Sequence, residues 1–287
     1  MDKFLDYFSS LLESTPQLTH ASKIVASIVK KNKKEKQIKF LPKICNEYRS
    51  YIEAQEQLKG WDRNIIEERV KLLNEYYNFY HDNDIDNLFS SQSKLRPSIL
   101  EEFVFILFRD YVNDLIDRFD ADSIINSGSA KAYTNLFFRA KDFEEFIKAP
   151  QIGVNQKDQD YSIYRELSIS IDGKNTKIKI PVVAVETKTY IDKTMLDSII
   201  ATAEKLKNGT PHSKFIAVTE SYEVDKNVDP AYSRIDQIYV LRKSNNRDSW
   251  NQISEDVVFR LFNDVKDHIE RPWSDIETKM KKEGVIL

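Results

Sequence analysis

The sequence predicts an α/β fold: a mixed central sheet flanked by helices, behind an α-helical N-terminal region. Three observations carry this. Up to about residue 90 the apolar side chains recur at helical spacing. Two uninterrupted apolar runs, Val182–Val185 and Phe215–Val218, suit strands buried on both faces. From Asp160 onward two extended segments, YSIYRELSISI and TKIKIPVVAVETK, flank Asp172-Gly173-Lys174-Asn175, a tight-turn sequence.

The first helical stripe is Phe4, Leu5, Phe8, Leu11 and Leu12. The second is Ile24, Val25, Ile28 and Val29, with Ser22 as its predicted N-cap. The third is Ile44, Tyr48, Tyr51 and Ile52. The fourth runs from Ile65 to Tyr77, with Asp62 as its N-cap. Lys30, Lys31, Lys33, Lys34, Lys36 and Lys39 lie between the second and third, as a solvated loop or a phosphate-contacting arm. His81 to Ser93 is polar and turn-rich and reads as a linker. It divides the chain into a helical region, 1–90, and a second domain, 91–287.

Pro97 and Ser98 open the next predicted helix, with Glu101 three residues after Ser98 in a capping-box pattern. Its inward stripe is Leu100, Phe103, Val104, Leu107, Phe108 and Tyr111. Glu101 falls at the edge of that stripe, within reach of a site beside the sheet; Glu102 falls nearly opposite and is expected in water. Residues 121–160 show no single period; a short loop and a helix are expected there. Thr194–Leu206 is an amphipathic helix ended by Asn208-Gly209. Lys214–Thr219 and Ile235–Arg242 are strands, and Ser254 caps a helix that runs to Ile269.

Composition narrows the function. Forty-six acidic and 43 basic residues leave a net charge of −3, so no global basic field advertises nucleic acid. A single cysteine, Cys45, excludes an internal disulfide and a thiolate zinc cluster, and a reducing cytoplasm is the simplest compartment. The N-terminus lacks the basic start and apolar core of a signal peptide, and no run is long enough to span a membrane. His20, His81, His212 and His268 have no metal-binding spacing, and with 6 glycines there is no Gly-rich phosphate loop. Tyr76 to Tyr80 is expected to pack in a helical core in preference to stacking on bases. Asn245-Asn246-Arg247 is a polar loop with base-edge contact as an alternative.

The chemistry concentrates at Glu186-Thr187-Lys188. A carboxylate and an amine two residues apart on a strand share one face. The triplet alone is weak: Glu277-Thr278-Lys279 repeats it, and Asp264-Val265-Lys266 resembles it, but both lie on helical sequence where such residues diverge. Hydrolysis of a phosphodiester needs an activated water and neutralised charge. Mg²⁺ provides both from oxygen ligands, and a neighbouring ammonium steadies the transition state. Glu186 and the Thr187 backbone carbonyl are candidate ligands and Lys188 the cation. A hairpin turning near Gly173 sets Asp160 opposite Glu186 as the second carboxylate, with Asp158 in reserve and Glu101 as a further metal candidate. Asp172 is a turn former.

Asp160, the hairpin, Glu186-Thr187-Lys188 and Glu101 on the preceding helix together resemble the PD-(D/E)xK nuclease superfamily, over roughly residues 97–270. Within it the chain looks like a subunit of a Type II restriction enzyme assembled from two related but different subunits. The resemblance implies a Mg²⁺-dependent endonuclease on double-stranded DNA, with Asp160, Glu186 and Lys188 catalytic and one strand cut per subunit. It also implies a homodimer or a heterodimer with a related chain. Lys30, Lys31, Lys33 and Lys34 then become candidate DNA contacts, and region 1–90 a recognition or dimerisation unit. The sequence departs from the motif in carrying Gln159, not proline, before Asp160. A non-catalytic DNA-binding module and a structure-specific repair or junction nuclease stand as alternatives.

Overall fold

The structure, a computed structural model, describes residues 2–89, 94–171, 173–273 and 276–284. Asp172 and the end of the expected linker, residues 90–93, lie outside them.

Four helices come first: α1 (Asp2–Ser14), α2 (Thr19–Val29), α3 (Glu35–Gln57) and α4 (Arg63–Asp82). Asp62 caps α4 as expected, accepting from the Ile65 N–H at 3.1 Å. Ser22 does not cap α2. It lies inside the helix, which starts at Thr19. The α2 start is satisfied from another element: the Glu102 carboxylate accepts from the backbone N–H groups of His20 (2.8 Å) and Ala21 (3.1 Å). Lys36 and Lys39 belong to α3, not to the loop before it.

Helix α5 (Pro97–Phe119) is the hub. Its side chains join one hydrophobic cluster that runs from Phe8, Tyr48 and Tyr76 through Phe103 and Phe108 to Val183, Val185 and Phe262. It is buried nearly all round, which overturns the single-stripe picture. Glu102, expected in water, is 1% exposed. The expected capping box is also absent: Arg96 is the N-cap, and the Ser98 hydroxyl donates to the Leu95 carbonyl instead.

The sheet has the order β1-β2-β3-β4-β5, formed by β1 (Ile125–Arg139), β2 (Gln151–Ile171), β3 (Lys174–Ile191), β4 (Lys214–Tyr222) and β5 (Gln237–Ser244). The β1–β2 and β2–β3 pairs are antiparallel, and β3–β4 and β4–β5 are parallel. Strand β1 was not anticipated. Its buried positions are small, Ala130, Ala132 and Thr134, so its two-residue period carries little apolar signal. Strand β2 starts nine residues before Asp160, not beside it. Between β1 and β2 lies α6 (Phe143–Lys148).

Alternation along the inner strands sorts the two faces. Val183, Val185, Ile216 and Val218 join the α5 cluster, while Ala184, Phe215 and Ala217 pack with Leu196, Ile199 and Ala203 of α7 (Lys193–Gly209). The end of α7 sits directly on β1, where a Cβ at Gly209 would come 1.8 Å from the Thr134 carbonyl oxygen. Helices α8 (Glu255–Glu270) and α9 (Ile276–Lys282) follow. Ser254 precedes α8 as its N-cap without a side-chain hydrogen bond. No helix among the described residues is long and apolar enough to cross a membrane.

One irregularity sets the site. Next to the turn Ile171 faces Lys174, and regular pairing runs back to Tyr164 opposite Pro181. The following pair is Ile163 with Val183, so Val182 is extra on β3. Beyond this bulge Tyr161 faces Val185. Pro181, with no N–H to give the ladder, stands beside it, where proline is tolerated in a sheet.

Candidate active site

Past Tyr161 and Val185, Asp160 and Glu186 are the next residues of their strands. The Asp160 Oδ2 accepts from the Thr187 backbone N–H at 2.7 Å and from the Thr187 hydroxyl at 3.1 Å. Lys188 Nζ donates to Glu186 Oε1 at 2.6 Å and to the Thr187 carbonyl at 3.0 Å, and lies 4.0 Å from Asp160 Oδ2. Asp160 sits at a second bulge: it and Tyr161 together face Ser129 of β1, between the pairs Gly128–Ser162 and Ala130–Gln159. A bulge bends its strand and re-aims the side chain.

The expected carboxylate, cation and backbone carbonyl therefore converge. The reserve candidate Asp158 is exposed and pairs with Lys131 on β1. The two decoy triplets are on helices; the Asp264 carboxylate accepts from Lys214 and from the Tyr239 hydroxyl instead.

Glu101 approaches from α5. Burial, and then the charge of Asp160, push its carboxyl up to about 7, with Lys94, Lys23 and Lys188 opposing. Burial and Asp160 also raise the Glu186 carboxyl, against the pull of Lys188. Carboxylates thus crowd together here, with Lys188 the cation in direct contact, and the donors are all oxygen. Among the described residues no three His, Cys, Asp or Glu side chains form a metal cage by themselves. Asp160, Glu186 and the Thr187 carbonyl offer a smaller set, which suits Mg²⁺, an ion that keeps several of its waters.

The lysine run is elsewhere. Lys30, Lys31 and Lys34 are exposed, and Lys33 donates to the Ile28 carbonyl at 2.7 Å. They follow the far end of α2, about 13 Å along the helix from Ala21. Besides Lys188, the lysines that act on the site carboxylates are Lys23, Lys94 and Lys157. Sequence reasoning did not single them out. They come from three elements, and only the tertiary fold brings them near.

Beside the site is a buried ion network. Arg96 donates both terminal nitrogens to the Glu220 carboxylate, at 2.6 and 2.7 Å, and Arg242 Nε adds a third bond at 2.8 Å. Although burial acts the other way, Arg96 and Arg242 hold the Glu220 carboxyl below its usual range. The remaining polar candidates are structural. Tyr76, Tyr77 and Tyr80 are core residues, as is Cys45. Burial lowers His20 to about 3; its ring nitrogens bond Ser98 and Tyr76. Arg247 is paired with Glu223 and lies over the Tyr190 ring.

The sequence model of the Bpu10I restriction endonuclease family matches residues 92–260. No curated protein matches the chain. Among solved structures the chain is similar to one described as "native BbvCI A2B2 tetramer at low resolution", with a TM-score of 0.68 and 18% identity. The likeness covers 90% of this chain and 98% of that one, and it shows the fold.

Proposed function

The chain belongs to the Bpu10I restriction endonuclease family, and from that premise we propose that it is one subunit of a Mg²⁺-dependent Type II enzyme whose catalytic residues are Asp160, Glu186 and Lys188. Membership carries site-specific deoxyribonuclease activity. The finer reading is that each subunit cuts one strand of a particular duplex sequence. The observation that supports it is the convergence of Lys188 Nζ on Glu186, the Thr187 carbonyl and Asp160.

In this reading Asp160, Glu186 and the Thr187 carbonyl hold the ion, with Glu101 as a further carboxylate on the α5 side. When bound, Mg²⁺ lowers the pKa of a coordinated water and polarises the scissile phosphate. Thr187 fixes the Asp160 carboxylate through two donors. Lys188 leaves Glu186 and places its charge on the phosphate oxygen where negative charge develops. One site cuts one strand, so a double-strand break requires two. The partner is a second copy or a related chain, as in the A2B2 assembly of BbvCI. Region 1–90 serves recognition or subunit contact and region 91–287 the chemistry, with Lys30, Lys31, Lys33 and Lys34 as outlying backbone contacts.

Incubating the purified chain with plasmid and Mg²⁺, alone and with a related subunit, and sequencing the ends tests this. Discrete ends at one sequence are expected. Cutting that follows DNA shape would indicate a repair or junction nuclease, and no cutting under any pairing would leave a binding module.

A further inference from the structure

A cavity of about 360 Å³ opens between the start of α5 and the carboxyl ends of β3 and β4. Its wall includes Thr189, the residue after Lys188, so it adjoins the candidate active site. Ligands of open α/β sheets bind outside the carboxyl ends of the strands.

Three features of the cavity point to an anion. Lys94 lies on its wall, and no ion pair engages Lys94 among the described residues. Its backbone stands in the left-handed region, with φ of 50°. A non-glycine residue there is strained, and such strain concentrates at functional sites. Behind it Arg96 pairs with Glu220 and, at 3.3 Å, with Asp86, while Arg242 shares Glu220 and keeps its Nη2 buried with no hydrogen-bond partner.

A base is a poorer fit. Trp250 is stacked by His81 at 4.2 Å and by Arg242 at 4.3 Å, and Tyr190 carries Arg247 at 3.6 Å. These two rings are covered and Tyr80 is buried, which leaves half-buried Phe89 as the remaining aromatic on the wall.

We propose that this cavity seats a backbone phosphate of the DNA strand next to the scissile one, with Lys94 as its principal contact. The inference rests on the nuclease reading and deepens it: Lys94 sets where along the strand the scissile phosphate meets Lys188. The contact is to a phosphodiester and carries no base information of its own.

Lys94→Gly is the useful variant, because it removes the ammonium while suiting the left-handed backbone. Binding is measured in metal-free buffer on duplexes that carry the cleaved sequence, with single neutral methylphosphonate linkages stepped through the cut region. For the wild type, one position within two linkages of the cut should weaken binding on the order of tenfold. For Lys94→Gly that position should go silent, and the slope of log affinity against log salt should shrink by about one. Lys94→Arg should restore both. Identical linkage profiles and salt slopes for wild type and Lys94→Gly would overturn the proposal while leaving the nuclease reading intact. A wild type that binds and cuts no duplex would remove both.

Discussion

Thr187 donates its backbone N–H to Asp160 Oδ2 at 2.7 Å, across the β2–β3 hairpin, and its hydroxyl reaches the same oxygen at 3.1 Å. One residue thus supplies a candidate ligand through its carbonyl and orients another through its two donors. Thr187→Val keeps the shape and the backbone donor and removes the hydroxyl. Single-turnover cleavage should slow by about 10–100-fold, the usual cost of losing a group that orients a metal ligand. An unchanged rate would mean that Asp160 needs no such anchor.

Lys188 and Glu186 are in contact at 2.6 Å. Lys188→Arg keeps the charge but replaces a point cation by a planar fork. Cleavage should fall by roughly 10²–10³-fold, the range for a lost transition-state donor. Duplex binding in metal-free buffer should persist. Gel-shift and cleavage assays on the same preparation separate the two, and an Arg variant at full rate would remove Lys188 from the mechanism.

Glu101 has its carboxyl raised to about 7, by burial first and Asp160 second. The protonated form dominates below that value, and a bound cation must displace the proton. Mg²⁺ affinity should therefore rise as pH climbs through about 7, and Glu101→Gln should flatten the rise. Calorimetric titration of Mg²⁺ at pH 6 and pH 8, both without DNA, reads this directly.

Glu102 is raised to about 7 by burial, against the opposing backbone hydrogen bonds from Ala21 and His20. A carboxyl with a raised folded value stabilises the fold fully below its unfolded value. That contribution is lost as pH rises through the folded value. Metal-free protein should thus lose stability between about pH 5 and pH 8, by up to roughly 3 kcal/mol from this group. Urea melts of wild type and Glu102→Gln should converge toward acid and separate toward alkali.

Glu220 is the counter-charge that Arg96 and Arg242 share, and it is only 4% exposed. Glu220→Gln leaves two guanidiniums without their shared counter-charge. The loss should be about 3–5 kcal/mol, the range for breaking a buried pair, read from the denaturant midpoint. A loss below about 1 kcal/mol would place the network in the class of exposed pairs.

The site was legible in the sequence where its geometry is local. Glu186 and Lys188 share a strand, and one hairpin brings Asp160 to the same strand end, so periodicity and a turn locate the three residues; the one-residue bulge at Val182 that gives their register was not anticipated. The same reasoning failed at Glu102, because a helix packed on both sides has no water-facing stripe. It failed at Ser22 because a carboxylate from α5 caps α2, and at Ser98 because that residue lies inside α5 with its hydroxyl donated to the Leu95 carbonyl. Strand β1 was hidden by its small inward residues, and Lys94 and Lys23 by the chain distance that separates them from the strands they approach.

The extra residue at Val182 decouples the two halves of the hairpin. Without it, the frame counted from the turn would put Val185 across from Asp160 and turn the acid of β3 to the opposite surface. Parity is therefore decided in the stretch from Val182 to Glu186, close to where the acids are needed. Residues added or removed at the solvent tip around Gly173 leave the catalytic spacing untouched. A single-residue deletion within that stretch would invert it.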